Sequence, residues 1–217
     1  GRLLSGSPGI DAGDNGLVPL LLLSDRDGKK RINGTSVDID AYEFHRVWPD
    51  IHGIIYVNDD PEGGDGSGSS WANACTSLSY ALDAAKANAA IKQIWVAGGT
   101  YHPHTRRDDG SDADSDDPYN SFLLPPDVKI YGTLAGNEPA DYDLSLRTVA
   151  PGSSTVLRSA SVGLTPRNYH FIMAVGDVGD AVIDGFVISG AEADGPDAGG
   201  ITVNGLTVSR LGGGGIY

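Results

Sequence analysis

The chain has 217 residues, enough for one large domain or a domain plus part of a neighbour, and 40% of them are hydrophobic, enough to build a packed core. Its 29 acidic against 15 basic residues give a formal charge of −14, a field that repels duplexes and anionic bilayers. Nucleic acid and lipid headgroups are therefore discounted as partners, and solubility or divalent-cation binding fits better.

No apolar run approaches the roughly eighteen residues that a membrane span needs; Leu17 to Leu23 is far too short, and Pro19 interrupts it. Cys75 stands alone and cannot form an internal disulfide, so cysteine usage leaves the redox compartment open. The 31 glycines cluster, as at 212–215, without the three-residue period of collagen, and many tight turns account for them. The chain opens at Gly1 without a Met and stops at Tyr217 within a glycine run, so both ends read as cuts from a longer protein.

Residues 1–44 hold short apolar pieces between turn signals such as Ser7-Pro8, Asn15-Gly16, Asp27-Gly28 and Asn33-Gly34, with no helical period. Residues 45–53 read as a connector. Ile54 to Val57 is a β-branched and aromatic run that predicts a strand, and the Gly/Asp/Ser stretch 62–70 predicts a loop. Leu78, Ala81, Leu82, Ala85 and Ala89 recur at spacings of three and four, which predicts a helix over 77–89 with Thr76 or Ser77 as its N-cap. A second strand at 94–97 follows, and a strand–helix–strand unit of this length favours a right-handed crossover with the two strands parallel.

Further strands are predicted at 122–124, 128–131, 155–158, 170–175, 182–188 and 201–208. The last two repeat each other. Ala181-Val-Ile-Asp-Gly-Phe-Val-Ile-Ser-Gly190 aligns with Ile201-Thr-Val-Asn-Gly-Leu-Thr-Val-Ser-Arg210 at an offset of 20 residues, a solenoid-like period. Asp184-Gly185 and Asn204-Gly205 are then corners between strands of one coil, since these residue types tolerate positive φ. An ordinary antiparallel hairpin is the alternative. The expected fold is all-β, a right-handed parallel β-helix with a short N-terminal capping helix, occupying 54–217.

Ser7-Pro8-Gly9-Ile10-Asp11-Ala12-Gly13-Asp14, Asp27-Gly28-Lys29-Lys30-Arg31-Ile32 and Val37-Asp38-Ile39-Asp40-Ala41-Tyr42-Glu43 resemble the closing segment of bacterial choice-of-anchor Q proteins, with Asp40 where that family usually has Gly. Ile55-Tyr56-Val57-Asn58, Ser70-Trp71-Ala72-Asn73-Ala74, Ile94-Trp95-Val96-Ala97-Gly98-Gly99-Thr100-Tyr101 and Val128-Lys129-Ile130-Tyr131-Gly132 resemble the opening of a pectin-lyase-like β-helix domain. Val182-Ile183-Asp184-Gly185-Phe186 and Gly212-Gly213-Gly214-Gly215-Ile216-Tyr217 resemble its first coils. The resemblance implies the end of one β-helical unit over 1–44 joined to the start of another over 54–217. It implies a secreted or cell-surface bacterial protein, often large and repetitive, usually without demonstrated catalysis. The first reading built on this is a structural or adhesive surface module, with polysaccharide as the contact that long parallel sheets would offer. The resemblance further implies that helix 77–89 caps the coil and hides strand edges that would otherwise recruit other chains.

A polysaccharide lyase or glycoside hydrolase on the same fold is the main rival, and a calcium-stabilised extracellular spacer is a third reading. Asp177, Asp180 and Asp184, preceded by Arg158 and Arg167, are the candidate lyase groups, but none sits in the arginine-centred motif of lyases. Corner and surface roles are their plainer reading. Asp108, Asp109, Asp112, Asp114, Asp116 and Asp117 form the densest acidic cluster and are the candidate calcium ligands, because a hard cation collects oxygens at alternate positions. The cluster lacks the glycine and distal Glu of an EF-hand, and a solvated insertion is its alternative. Asp59, Asp60, Glu62 and Asp65 are a weaker case.

His102 and His104 share a face if extended, half of a zinc site without a third ligand at a telling spacing. His45, His52 and His170 carry no signal, and Asn33-Gly34-Thr35 matches a glycosylation acceptor. Trp71, Trp95, Tyr101 and Tyr131 offer either a sugar-stacking platform or core and rim packing. Cys75 reads as a small buried apolar residue.

Overall fold

β-Branched and aromatic runs punctuated by glycine and asparagine favour short strands, and strands with a single α-helix dominate the regular structure of the described residues. The computed structural model describes residues 3, 7–22, 24–26, 31–32, 35–44, 46–61, 63–104, 118–148, 154–159, 168–190, 192, 200–209 and 215–217. Contacts divide the chain into two compact units, 1–46 and 47–217.

The first unit is held by carboxylates. Val37 is its one buried hydrophobic side chain among the described residues. Buried Asp38 accepts the Asp11 N–H at 2.7 Å and the Phe44 N–H. Asp11 accepts the Thr35 N–H at 2.9 Å and the Ser36 N–H at 3.3 Å. Glu43 accepts the Asp38 N–H at 3.2 Å and pairs with Arg31, while Asp25 accepts the Glu43 N–H at 3.1 Å. Side-chain acceptors here do for buried amides what a strand ladder does elsewhere.

In the second unit the strands are β1 (Ile54–Val57), β2 (Gln93–Ala97), β3 (Gly99–Tyr101), β4 (Phe122–Leu123), β5 (Lys129–Leu134), β6 (Thr155–Arg158), β7 (Ile172–Met173), β8 (Val182–Asp184), β9 (Phe186–Ser189), β10 (Ile201–Val203) and β11 (Leu206–Val208), with helix α1 at Leu78–Ala87. β1-β2-β5-β8, β3-β6-β9 and β4-β7 form three sheets, parallel throughout. The chain visits them in the same order on successive passes: β2, β3, β4; then β5, β6, β7; then β8, β9 and Ile216, which bridges in parallel to Ile172.

Alternation along each strand decides what faces the core. Ile55, Ile94, Ile130 and Ile183 stand in register across the first sheet. Tyr101, Leu157 and Ile188 do so across the second, and Phe122 and Ile172 across the third. All join one apolar cluster with Leu78, Ala81, Leu82 and Ala85 of α1. The helix begins at the Ser77 N-cap, whose hydroxyl accepts the Tyr80 N–H, so Ser77 rather than Thr76 is the cap.

The helix packs its apolar face into this cluster, but a different segment covers the strand edge. The outer edge of β1 bonds to 67–75: Tyr56 N–H donates to the Gly68 carbonyl at 2.8 Å, Cys75 N–H to the Tyr56 carbonyl at 2.9 Å, and Asn58 N–H to the Cys75 carbonyl at 3.0 Å. The edge of β3 meets the Asp59 carboxylate, which accepts the Thr100 N–H at 2.9 Å. Among the described residues no strand pairs with the outer edges of β8 and β9.

The two copies of the repeated phrase fold differently. In the first, Gly185 (φ +82°) is a corner between β8 and β9, each parallel to a strand of the preceding pass. The second is not a stacked coil: β10 and β11 pair antiparallel as a two-residue hairpin. Asn204 (φ +49°) and Gly205 (φ +78°) are both left-handed, the turn whose twist suits a hairpin. Ile201, Val203 and Val208 then pack against Leu123, Met173 and Val175, outside the third sheet.

Candidate functional site

The outward face of the first sheet holds three of the residues singled out for chemistry, Trp95, Tyr131 and Asp184. Tyr56, Trp95, Tyr131 and Asp184 lie side by side in register on β1, β2, β5 and β8. Tyr56 meets Trp95 edge-on at 5.8 Å between ring centroids, and Trp71 at 5.0 Å. The Trp95 indole N–H donates to Gln93 Oε1 at 2.8 Å. The Tyr56 hydroxyl donates to Asp50 Oδ2 at 3.0 Å. Burial first, then this bond to the Asp50 carboxylate and its charge, hold the Tyr56 phenol well above its ordinary pKa.

Segment 135–148 lies over this row. Ala140, Tyr142 and Leu144 pack with Ile54, Tyr56, Trp95 and Leu134, and the Trp71 indole donates to the Glu138 carbonyl at 3.0 Å. Glu138 fixes the start of the segment by accepting the Gly136 N–H at 3.1 Å and the Asn137 N–H at 3.2 Å. Arg147 fixes its far end. Its guanidinium lies 5.0 Å from the Tyr131 ring centroid, donates to the Gly132 carbonyl at 2.9 Å, and pairs with Asp184. Within this segment, hydrogen bonds from the Ser145 side chain and backbone lower the Asp143 pKa.

A hydroxyl relay backs the site between passes. Thr155 donates to the Ala97 carbonyl at 3.0 Å and accepts the Thr133 N–H at 2.7 Å; Thr133 donates to the Gly185 carbonyl at 2.6 Å. These bonds hold Thr133 at φ +61°, a rare conformation for a β-branched residue.

Trp95 and Tyr101 are buried, and Trp71 and Tyr131 are half-buried, so the four aromatics form no exposed platform. Tyr101 lies in the inner core with its hydroxyl on the Ala97 carbonyl at 3.1 Å, and burial, with the Asp59 charge next, raises its pKa. Cys75 is buried, its thiol directed at the Ser77 carbonyl at 3.2 Å.

The three aspartates proposed for a lyase are not brought together. Asp177 accepts the Gly179 N–H at 2.9 Å, the Asp180 N–H donates to Asp127 at 3.1 Å, and Asp184 is clasped by Arg147 rather than by Arg158. Arg158 ends β6, and its carbonyl meets His102 Nδ1 at 2.7 Å. His104 instead bonds to the Ser77 hydroxyl and lies 4.6 Å from the Tyr80 ring, so the two imidazoles serve different partners. His52 is exposed, and buried His170 meets the Ser209 carbonyl at 2.8 Å.

Asp108, Asp109, Asp112, Asp114, Asp116 and Asp117 lie outside the described residues, as do Glu62, Arg167, Asn33, Gly34 and His45. Asp65 accepts the Ser67 N–H at 2.9 Å, apart from the role of Asp59 on β3. Among the described residues, no group of three His, Cys, Asp or Glu stands together to hold a metal ion, and no helix is long and apolar enough to cross a membrane.

Arg147 and Tyr56 were missed as site residues. Tyr56 had a signal, the alternation Ile55-Tyr56-Val57 that puts it on the face of Trp95; Arg147, 37 residues before its partner Asp184, had none. No protein-family model matches the chain, no curated protein matches it, and no solved structure matches it.

Proposed function

We propose that the chain is a non-catalytic module of a secreted or cell-surface protein, built on a right-handed parallel β-helix. In this reading residues 1–44 close one β-helical unit and residues 54–217 open the next, and the module is a structural or adhesive scaffold whose expected contact is carbohydrate. The observation that carries the reading is the repeated order of three parallel sheets over one core, with isoleucine stacked on isoleucine through four strands. A unit that grows by adding passes builds length and surface rather than a single pocket. The use of Asp184 also supports a scaffold: its carboxylate fastens segment 135–148 through Arg147, whereas acid–base cleavage of a glycan requires a second carboxyl group roughly 5–9.5 Å away. The −14 charge sets nucleic acid aside as a partner.

The test is to incubate the purified protein with pectate, alginate and neutral insoluble glycans, following unsaturated products by ultraviolet absorbance and retention by co-sedimentation. The scaffold reading expects retention on a glycan without product. Product growth that Asp184→Ala abolishes would replace it with the lyase reading.

A further inference from the structure

The turn dipeptide Asn15-Gly16 holds chemistry that a scaffold does not use. Asparagine is a labile residue. Before glycine it is most open to ring closure, because no Cβ shields the following backbone nitrogen from its side-chain carbonyl carbon. Asn–Gly pairs stand at 15–16, 33–34 and 204–205, and the first and last lie among the described residues. Ring closure needs a base for the glycine amide proton, a donor for the oxygen that becomes negative, and a path for ammonia to leave.

Asn15-Gly16 meets all three needs. The Gly16 N–H donates to Asp14 Oδ1 at 2.8 Å, so a carboxylate already holds the proton that must be lost. The Val37 N–H donates to Asn15 Oδ1 at 2.7 Å, where charge develops as the carbon becomes tetrahedral. Both residues of the pair are exposed, which lets ammonia escape. Asn204-Gly205 is equally exposed, and Lys86 Nζ lies 3.4 Å from Asn204 Oδ1. Among the described residues, however, no carboxylate meets the Gly205 N–H.

We propose that Asn15-Gly16 is a self-modifying site in which Asp14 is the base. Asp14 takes the Gly16 amide proton, and the Gly16 nitrogen bonds to Asn15 Cγ. The Cγ–Nδ2 bond then breaks, and Nδ2 takes that proton from Asp14 and leaves as ammonia. Water opens the cyclic imide at either carbonyl, leaving aspartate or isoaspartate at position 15. The original side chain ties its turn to the Thr35 carbonyl through Nδ2 at 3.2 Å. The product has no donor there and sets a negative charge against that carbonyl oxygen. The first unit thus carries a slow, irreversible timer that loosens residues 14–17 from 35–37.

The test is to age the purified chain at physiological temperature and digest samples at acid pH. Mass spectrometry then follows the peptides holding Asn15 and Asn204 for the gain of about 1 Da that marks ammonia lost and water taken up. Asn15 should convert several-fold faster than Asn204. Between about pH 6 and 8 its rate should change little, because a carboxylate stands in for hydroxide, whereas the Asn204 rate should rise about tenfold per pH unit. Asp14→Ser keeps an acceptor for the Gly16 N–H but removes the base. It should slow Asn15 about tenfold, less than the hundredfold or more from an enzyme's base because hydroxide still acts, and leave Asn204 unchanged. A variant whose turn had merely opened would convert faster, so the direction of the change separates a base from a structural support. Equal rates at the two sites, a hydroxide-like slope at Asn15, or an Asp14→Ser variant that converts as fast as the wild type or faster overturns the proposal.

Discussion

Gly185 and Gly205 occupy equivalent places in the repeated phrase and share a left-handed backbone, φ +82° and +78°, but their surroundings differ. A Cβ added at Gly205 meets nothing within 4 Å. One added at Gly185 meets the Gly132 carbonyl oxygen at 2.7 Å and an Arg147 guanidinium nitrogen at 2.9 Å, because the corner of one pass sits directly on the pass before it. The left-handed conformation itself costs an alanine about 1–2 kcal/mol, partly offset by the stiffer unfolded chain. Gly205→Ala should therefore destabilise by about 1 kcal/mol. Gly185→Ala carries that plus about 1–3 kcal/mol for forcing backbone and guanidinium aside, about 2–4 kcal/mol in all. Urea denaturation read by tryptophan fluorescence measures both, since Trp71 and Trp95 belong to one cluster on the outer face of the first sheet. The two midpoints should separate at constant m-value. Equal losses would mean that Gly185 does not abut Gly132 and that the stacking argument fails.

Thr155→Val keeps shape but removes the hydroxyl that bonds to Ala97 and Thr133, leaving two buried backbone groups without it; the expected loss is about 2–4 kcal/mol by the same denaturation assay. The raised phenol pKa values of Tyr56 and Tyr101 make stability fully present below about pH 10, where the unfolded phenols stay neutral. Above that pH the unfolded chain ionises first, and stability should fall by about 1.4 kcal/mol per pH unit for each tyrosine, more shallowly in Tyr101→Phe when melting midpoints are compared between pH 9 and 11. In the first unit, Asp38→Ala removes the acceptor of the Asp11 and Phe44 amides, and hydrogen exchange at both should accelerate about a hundredfold, corresponding to about 3 kcal/mol of local stability.

Local signals were legible wherever local chemistry decided the outcome. The spacing of Leu78, Ala81, Leu82 and Ala85 produced the helix, and the β-branched runs at Ile54–Val57 and Thr155–Arg158 produced strands at the expected positions. Gly99–Tyr101 escaped notice because three residues that begin with glycine are too short to display a period. The repeated phrase and its corner at Asp184-Gly185 were visible, but not that the two copies part ways: Asp184 stays extended, held by Arg147 from a distant segment, whereas Asn204 turns left-handed and takes the hairpin alternative. For Trp95 the sequence left a sugar-stacking platform and core or rim packing both open, and the covering segment 135–148 is what makes it interior. The carboxylate-held first unit was opaque, since the same aspartates suit turns, cation sites or solvent until their amide partners are known.

The central claim is that successive passes lie parallel and in register, and backbone nuclear Overhauser contacts test it most directly. Contacts between parallel strands should link Trp95 to Tyr131 and Tyr131 to Asp184 on one sheet, and Thr100 to Val156 and Val156 to Val187 on the next. Short Hα–Hα contacts between Val182–Asp184 and Phe186–Ser189, the pattern of an antiparallel hairpin closed at Gly185, would contradict it.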